Sequence, residues 1–159
     1  MTVLTQAGNS RISLPLLIKS SSASETFALG ERIAPLVSKG SVVALRGPLG
    51  AGKTCFVKGL ANGLGITEEI TSPTYTIVCE YDALISGRKT SVYHIDAYRL
   101  RGNDDFSAIG GEEIVFGEGV SIIEWSERVN DFIPQEALRV EFELTGDDER
   151  SIRIYRGES

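Results

Sequence analysis

The sequence predicts an α/β fold: a three-layer sandwich whose mixed sheet carries added antiparallel strands. Three observations support this fold class. Short apolar runs rich in β-branched residues, at 41–46 and 120–124, are typical of buried strands. Segments with helical periodicity lie between such runs and end near glycines. The last two apolar segments alternate around Gly146-Asp147-Asp148, which indicates an antiparallel hairpin.

The composition is that of one domain, residues 1–159, in which 1–10 form a loose tail. A net charge of −6 argues against a large basic surface, so we expect no direct DNA binding. No apolar run approaches the roughly 20 residues of a membrane span. Cys55 and Cys79 lack metal or redox spacing and are expected to be reduced thiols. We therefore expect a cytoplasmic protein without a membrane partner.

The first third of the chain predicts an edge strand followed by a capped helix. Residues 12–18 form the strand, with Pro15 favouring an edge position. Ser22-Ala23-Ser24-Glu25 is a capping-box pattern that begins the helix. Pro35 is expected to kink that helix or to tighten its end. One helix face is predicted to carry Phe27, Ile33, Leu36 and Val37.

The rest of the chain continues with alternating strands and helices. A strand at 41–46 precedes a helix from about Gly52 to Leu64, which Gly65 ends. Two strands, 75–81 and 90–96, are joined through 86–89 as a hairpin. Short helices are expected over 103–116, broken at Gly110-Gly111, followed by strands at 120–124, 138–144 and 151–155.

The segment Gly47-Pro48-Leu49-Gly50-Ala51-Gly52-Lys53-Thr54 matches G-x-x-x-x-G-K-[ST], the phosphate-binding loop of nucleoside triphosphatases. Its predicted strand and helix flanks are those that the loop requires. Gly50 and Gly52 let backbone N–H groups converge on phosphate oxygens, and the helix N-terminus adds partial positive charge. Lys53 is placed to reach the β- and γ-phosphates, and the Thr54 hydroxyl to bind Mg²⁺. The motif therefore predicts a P-loop NTPase-like fold.

Two acidic residues directly follow apolar strands. Asp96 ends Val92-Tyr93-His94-Ile95, and Glu124 ends 120–123. Ligands of open α/β sheets lie beyond the carboxyl ends of the strands, so both carboxylates are expected at the phosphate site. One would bind the metal and the other would orient water; the alternative is that each merely closes a strand in solvent.

Three further features have two interpretations each. Ser72-Pro73-Thr74-Tyr75-Thr76 is either a segment that senses the γ-phosphate through Thr74 or an ordinary Ser-Pro turn. His94, the only histidine, is read as a hydrogen-bonded structural residue rather than a base. Trp125, the only tryptophan, either packs in the core or forms part of a rim.

These motifs occur together in an order that resembles the TsaE (YjeE) family. They are the phosphate loop, Ser72-Pro73-Thr74-Tyr75-Thr76, His94-Ile95-Asp96-Ala97-Tyr98-Arg99-Leu100 and Ile123-Glu124-Trp125. The resemblance covers roughly 22–129 and implies a small bacterial ATPase of tRNA threonylcarbamoyladenosine synthesis. It implies ATP and Mg²⁺ as ligands and TsaD and TsaB as partner subunits. Contact with tRNA would be indirect, through the complex. Hydrolysis, weak alone and stimulated by the partners, would support repeated turnover.

The resemblance also implies roles for individual residues. Lys53 matches the phosphate-binding lysine, and Thr54 and Glu124 match the metal-associated pair. Asp96 matches the Walker-B-like acid important for hydrolysis and is counted with Thr54 and Glu124 among the metal-binding residues. Thr74 matches the switch-like loop and is counted with Lys53, Asp96 and Glu124 as catalytic. The expected nucleotide contacts are Leu49, Gly50, Ala51, Gly52, Lys53, Thr54, Cys55, Ala23 and Arg150.

Two other functions are compatible with a phosphate loop. A stand-alone small-molecule kinase usually needs an arginine-bearing lid, for which Arg99 and Arg101 are the candidates. A non-catalytic nucleotide-sensing scaffold would bind nucleotide without turnover. The guanine-reading N-K-x-D motif is absent from the chain, which favours ATP over GTP.

Overall fold

The computed structural model describes residues 12–71 and 77–157. Its strands are β1 (Leu16–Ser20), β2 (Val42–Arg46), β3 (Val78–Ile85), β4 (Arg88–Asp96), β5 (Val120–Glu124), β6 (Leu138–Leu144) and β7 (Arg150–Arg156). Its α-helices are α1 (Ala23–Ile33), α2 (Lys53–Gly63), α3 (Asn103–Ala108) and α4 (Gly111–Val115). Two 3₁₀ segments, Ala34–Leu36 and Ser126–Phe132, complete the regular structure of these residues.

The described strands form one mixed sheet in the order β1-β7-β6-β2-β5-β4-β3. The four central strands, β6, β2, β5 and β4, run parallel to one another. Antiparallel pairs, β6 with β7, β7 with β1 and β4 with β3, extend the sheet at both edges. Parallel strands place their carboxyl ends at one edge of the sheet, which is where the functional side chains collect.

Helices cover both faces of the central strands. One face packs against α1 and α2 through residues such as Val43, Leu45 and Ile122. The other packs against α3, α4 and the second 3₁₀ segment through Ala44 and Ile123. This double coverage explains why β5 is buried along its whole length. The structure confirms the predicted three-layer α/β sandwich with added antiparallel strands.

Local signals placed several elements correctly. The Ser22 side chain accepts a hydrogen bond from the Glu25 N–H, as the capping-box pattern predicts. Pro35 lies in the 3₁₀ segment that tightens the end of α1. Gly65, with φ of 79°, follows the end of α2 in a left-handed conformation. β1 is an edge strand, as Pro15 suggested.

Other predicted boundaries were wrong where pairing or packing decides them. β1 begins at Leu16 rather than residue 12, because its partner in β7 pairs only with Leu16–Ser20. β3 continues to Ile85, since Ser86 and Gly87 alone form the turn, both with positive φ. The turn is thus two residues long instead of the four predicted at 86–89.

The buried face of α1 also differs from the predicted one. Phe27 is only half-buried, and the face that packs against α2 carries Thr26, Leu29, Gly30 and Ile33. Gly30 allows close approach of the two helices, because a Cβ there would lie 2.2 Å from the Phe56 carbonyl oxygen. The helix contact is therefore centred on a glycine, which a count of large apolar residues does not detect.

Candidate functional site

The phosphate loop connects β2 to α2 in the geometry that its sequence predicts. Gly50 and Gly52 have φ of 77° and 100°, a left-handed conformation that side chains with a Cβ rarely adopt. Gly52 is also packed, since a Cβ there would lie 2.6 Å from Nη1 of Arg150. The α2 helix begins directly after it at Lys53, so the helix N-terminus faces the loop. Backbone N–H groups and the helix dipole together favour an anion here.

Lys53 is held over the loop and is only 5% exposed. Its Nζ donates hydrogen bonds to the carbonyl oxygens of Gly47 and Pro48, the latter at 3.1 Å. The ammonium also lies 3.9 Å from the centre of the Trp125 ring, a cation–π contact. Burial lowers the pKa of Lys53 below its ordinary value of 10.5, and the charge of Glu124 partly offsets this shift.

Glu124 ends β5 and connects two other elements through its carboxylate. The side chain is 3% exposed. Its Oε1 accepts a hydrogen bond from Thr54 Oγ1 at 3.0 Å, and its Oε2 accepts one from His94 Nε2 at 2.5 Å. Alternation along β5 places Glu124 on the same sheet face as Ile122, which is the face that α2 covers.

Asp96 lies beside Glu124 at the carboxyl end of β4. The two residues are paired in the parallel register of β4 and β5. Asp96 is half-buried, and its Oδ1 accepts a hydrogen bond from the Tyr98 N–H at 2.9 Å. Its charge also opposes the lowering of the Lys53 pKa, as does that of Glu127. The structure thus brings both predicted strand-end acids to the phosphate loop.

Trp125, for which the sequence left core packing and a rim position as alternatives, lies next to Lys53. It is half-buried and adopts φ of 59° and ψ of 41°, which turns the chain away from β5. The ring packs against Tyr98 at 4.9 Å between centroids, and Arg128 lies 5.2 Å from the Tyr98 ring. Trp125 therefore fits both alternatives, because it packs against the core on the α3 and α4 side of the sheet and also lies beside Lys53.

Residues distant in sequence complete the surroundings of the loop. The Cys55 thiol donates to the Ala23 carbonyl oxygen at 3.2 Å, which places the start of α1 against the start of α2. Nη1 of Arg150 donates to the Ala51 carbonyl oxygen at 3.3 Å. Leu49 at the loop tip is 78% exposed. Thr74 and the rest of 72–76 lie outside the described residues.

Sequence reasoning did not reveal the partner of His94. The interpretation of His94 as a hydrogen-bonded structural residue agrees with its burial and its hydrogen bond to Glu124, the acid that also contacts Thr54. The signal was available in the alternation of β4, because His94 and Asp96 are two residues apart and so share one face. Glu127, which acts on Lys53 by its charge, had no comparable signal.

The oxygen atoms at this edge of the sheet fit Mg²⁺. The Thr54 hydroxyl and the Glu124 carboxylate are hard ligands of the type that Mg²⁺ prefers, and they already touch each other. Residues 12–71 and 77–157 contain no group of three or more His, Cys, Asp or Glu side chains that would hold a metal alone. A cation here would thus take its other ligands from water and phosphate, as Mg²⁺ does at nucleotide sites.

An open cleft of about 670 Å³ adjoins the loop. Its lining includes Gly47, Pro48 and Trp125 near the loop and Arg46 and Arg153 from the sheet. Both arginines pair with Glu141, which also lines the cleft. Among the helices that the structure describes, none has the length and apolar character to cross a membrane.

Comparisons with known proteins identify relatives of this chain. The family model described as "Threonylcarbamoyl adenosine biosynthesis protein TsaE" matches residues 20–152. A Treponema pallidum protein named tRNA threonylcarbamoyladenosine biosynthesis protein TsaE is 48% identical over 135 residues, 85% of this chain and 96% of that protein. The Bacillus subtilis protein of the same name is 41% identical over 80% of this chain and 77% of its own length.

A solved structure gives the same result for the fold. The crystal structure of YdiB from Bacillus subtilis superimposes with a TM-score of 0.73 at 35% identity, covering 94% of this chain and 90% of that one. This similarity confirms the predicted P-loop NTPase-like fold. Family model, relatives and structure point the same way, and the chain belongs to the TsaE family.

Proposed function

We propose that this chain is the ATP-binding and ATP-hydrolysing subunit of the bacterial complex that makes tRNA threonylcarbamoyladenosine in the cytoplasm. Its hydrolysis would support repeated turnover by the TsaD–TsaB transferase, and the chain would meet tRNA only through that complex. The observation that carries the proposal is the convergence of Lys53, Thr54 and Glu124 at one helix N-terminus. Family membership supports the pathway.

The phosphate loop would bind the triphosphate. Backbone N–H groups around Gly50 and Gly52, where φ is positive, would bind the β-phosphate. The Lys53 ammonium would exchange its carbonyl partners for phosphate oxygens. Carbonyl oxygens are weaker partners for an ammonium than anionic phosphate, so this exchange favours binding. Arg150 and Ala23, next to the loop, are the proposed additional nucleotide contacts.

Thr54 and Glu124 would hold Mg²⁺, with Asp96 near them. When bound, Mg²⁺ neutralises charge that develops on the phosphate oxygens during transfer. The Thr54 Oγ1 and the Glu124 Oε1 lie 3.0 Å apart, so they converge on one small region. Burial of the Glu124 carboxylate excludes water that would weaken electrostatic interactions there.

Asp96 would orient the water that attacks the γ-phosphate, and Thr74 would sense that phosphate. One Asp96 oxygen is fixed by the Tyr98 N–H, which sets the direction of the carboxylate. The residue lies beside Glu124, but within the described part of the chain its carboxylate forms no hydrogen bond with Thr54 or His94. This separation suits two acids with different roles, one at the metal and one at the water.

The proposal is tested by ATPase assays of the purified chain with and without TsaB and TsaD. We expect slow hydrolysis alone, stimulation by the two partners together, and no phosphorylated small molecule in a phosphate-acceptor screen. Lys53→Ala should abolish the stimulated rate, while Lys58→Ala, an exposed position one turn along α2, should retain it. Absence of stimulation would refute the place in the complex, and normal stimulated turnover by Lys53→Ala would refute the ATPase role.

A further inference from the structure

His94 has a contact that the proposed phosphate chemistry does not by itself require. It is the only histidine of the chain, and only 1% of it is exposed. Its Nε2 lies 2.5 Å from Glu124 Oε2. A polar ring buried in this way needs a hydrogen-bond partner, and the structure shows which partner it has.

The two oxygens of Glu124 have separate partners. Thr54 holds Oε1 from α2, and His94 holds Oε2 from the neighbouring strand β4. The terminal torsion of a glutamate has a broad energy profile, so one hydrogen bond alone leaves the carboxylate free to rotate. Two donors on opposite oxygens fix the plane of the carboxylate and direct Oε1 towards the Thr54 hydroxyl.

The His94 ring has no competing partner in the parts of the chain that are described. Its Nδ1 is buried and accepts or donates no hydrogen bond there. An ionised carboxylate only accepts hydrogen bonds, so Nε2 is the donor to ionised Glu124. Among residues 12–71 and 77–157, the one hydrogen bond of this ring is therefore the bond to Glu124.

We propose that His94 is a positioning residue, which fixes the Glu124 carboxylate in the orientation that binds Mg²⁺ together with nucleotide. The inference rests on the proposed function, because it needs Mg²⁺ at Thr54 and Glu124. Groups that hold a metal-binding carboxylate commonly change metal affinity by about 10- to 100-fold when they are removed. His94 would act in this way through Glu124, without touching nucleotide.

Calorimetric titration with ADP, done once in Mg²⁺ and once in EDTA, tests the inference through binding rather than turnover. His94→Leu removes the donor, and His94→Gln keeps an N–H group that reaches towards Glu124. Val92→Ala is the matched control, since Val92 is buried on the same face of β4 and does not contact Glu124. Thermal unfolding of each variant confirms that it is folded.

For His94→Leu we expect the gain in ADP affinity that Mg²⁺ provides to fall about tenfold, with affinity in EDTA unchanged within about twofold. His94→Gln should recover most of the gain, and Val92→Ala should keep it. Should His94→Leu not fold, His94→Asn replaces it, because the shorter amide does not reach Glu124.

Three results would overturn the positioning role. The first is that His94→Leu keeps the full gain in ADP affinity that Mg²⁺ gives the wild-type protein. The others are that Val92→Ala loses as much of that gain as His94→Leu, or that His94→Gln recovers none of it. Failure of the proposed function has a different signature. In that case the wild-type protein itself would bind no ADP, or would bind it with the same affinity in Mg²⁺ and in EDTA.

Discussion

Gly59 on α2 lies where α1 crosses, and replacing it with alanine tests how the two helices are held together. A Cβ at this position would lie 2.0 Å from the carbonyl oxygen of Phe27, whereas real Cβ atoms essentially never come within 3.0 Å of such an atom. The obstacle is backbone, which cannot rotate aside as a side chain can. The helices would therefore have to separate by about 1 Å against a closely packed core.

Two opposing effects determine the size of the change. Alanine favours the helix over glycine by about 1 kcal/mol. Overpacking a well-packed contact costs about 1–3 kcal/mol, and a clash with rigid backbone belongs at the upper end of that range. The clash should prevail, with a net loss of about 2 kcal/mol in the free energy of unfolding. For a chain of this size the melting temperature should fall by about 4–8 °C.

Urea unfolding followed by circular dichroism measures this loss. Lys58→Ala, on the exposed side of the same helix, is the control and should change the free energy of unfolding by less than about 0.5 kcal/mol. If Gly59→Ala were as stable as the wild-type protein or more stable, helix propensity would outweigh packing. The close crossing of α1 and α2 would then be incorrect.

Three further predictions concern the site. Asp96→Asn should slow hydrolysis about 100-fold and change ADP affinity by less than about threefold, because a water-orienting group acts mainly in the transition state. If the hydrolysis rate and the calorimetric ADP affinity fell by the same factor, Asp96 would not have this role. ADP affinity should fall as pH rises through the Lys53 pKa, which burial lowers below 10.5, since phosphate binds the ammonium and deprotonation removes it. Lys53→Arg should show no such fall, and a fall in both proteins would assign the titration elsewhere. ADP should change the fluorescence of Trp125, the only tryptophan, because the Lys53 ammonium lies 3.9 Å from the ring centre. Trp125→Phe is the control. Unchanged emission at saturating ADP would show that the contact between Lys53 and Trp125 persists when nucleotide binds.

Elements with strong local signals were predicted nearly to the residue. The strand at 120–124 and the strand at 138–144 have the predicted bounds, since apolar runs and flanking breakers mark them. The predicted break at Gly110-Gly111 within the helical segment 103–116 was also correct, and it divides the segment into α3 and α4. Errors occurred at β1 and β3, whose ends depend on how far a partner strand extends. Pairing is non-local, so neither end is encoded in its own residues.

The candidate site shows the same division. Lys53 and Thr54 follow from an eight-residue motif, and the two acids follow from their positions after apolar runs. The sequence left open what His94 contacts and how Trp125 is placed. Both depend on which strands become neighbours and on the turn after β5.

By itself, the amino-acid sequence determined that a phosphate-binding loop joins a strand to a helix and that acidic residues end two strands. These features are local, because hydrogen bonding and side-chain alternation over a few residues produce them. Only the tertiary structure decided that Glu124 divides its two oxygens between Thr54 and His94, and that Arg150 lies against Ala51. Such contacts join residues many positions apart, so they exist only once the strand order of the sheet has brought the carboxyl ends together.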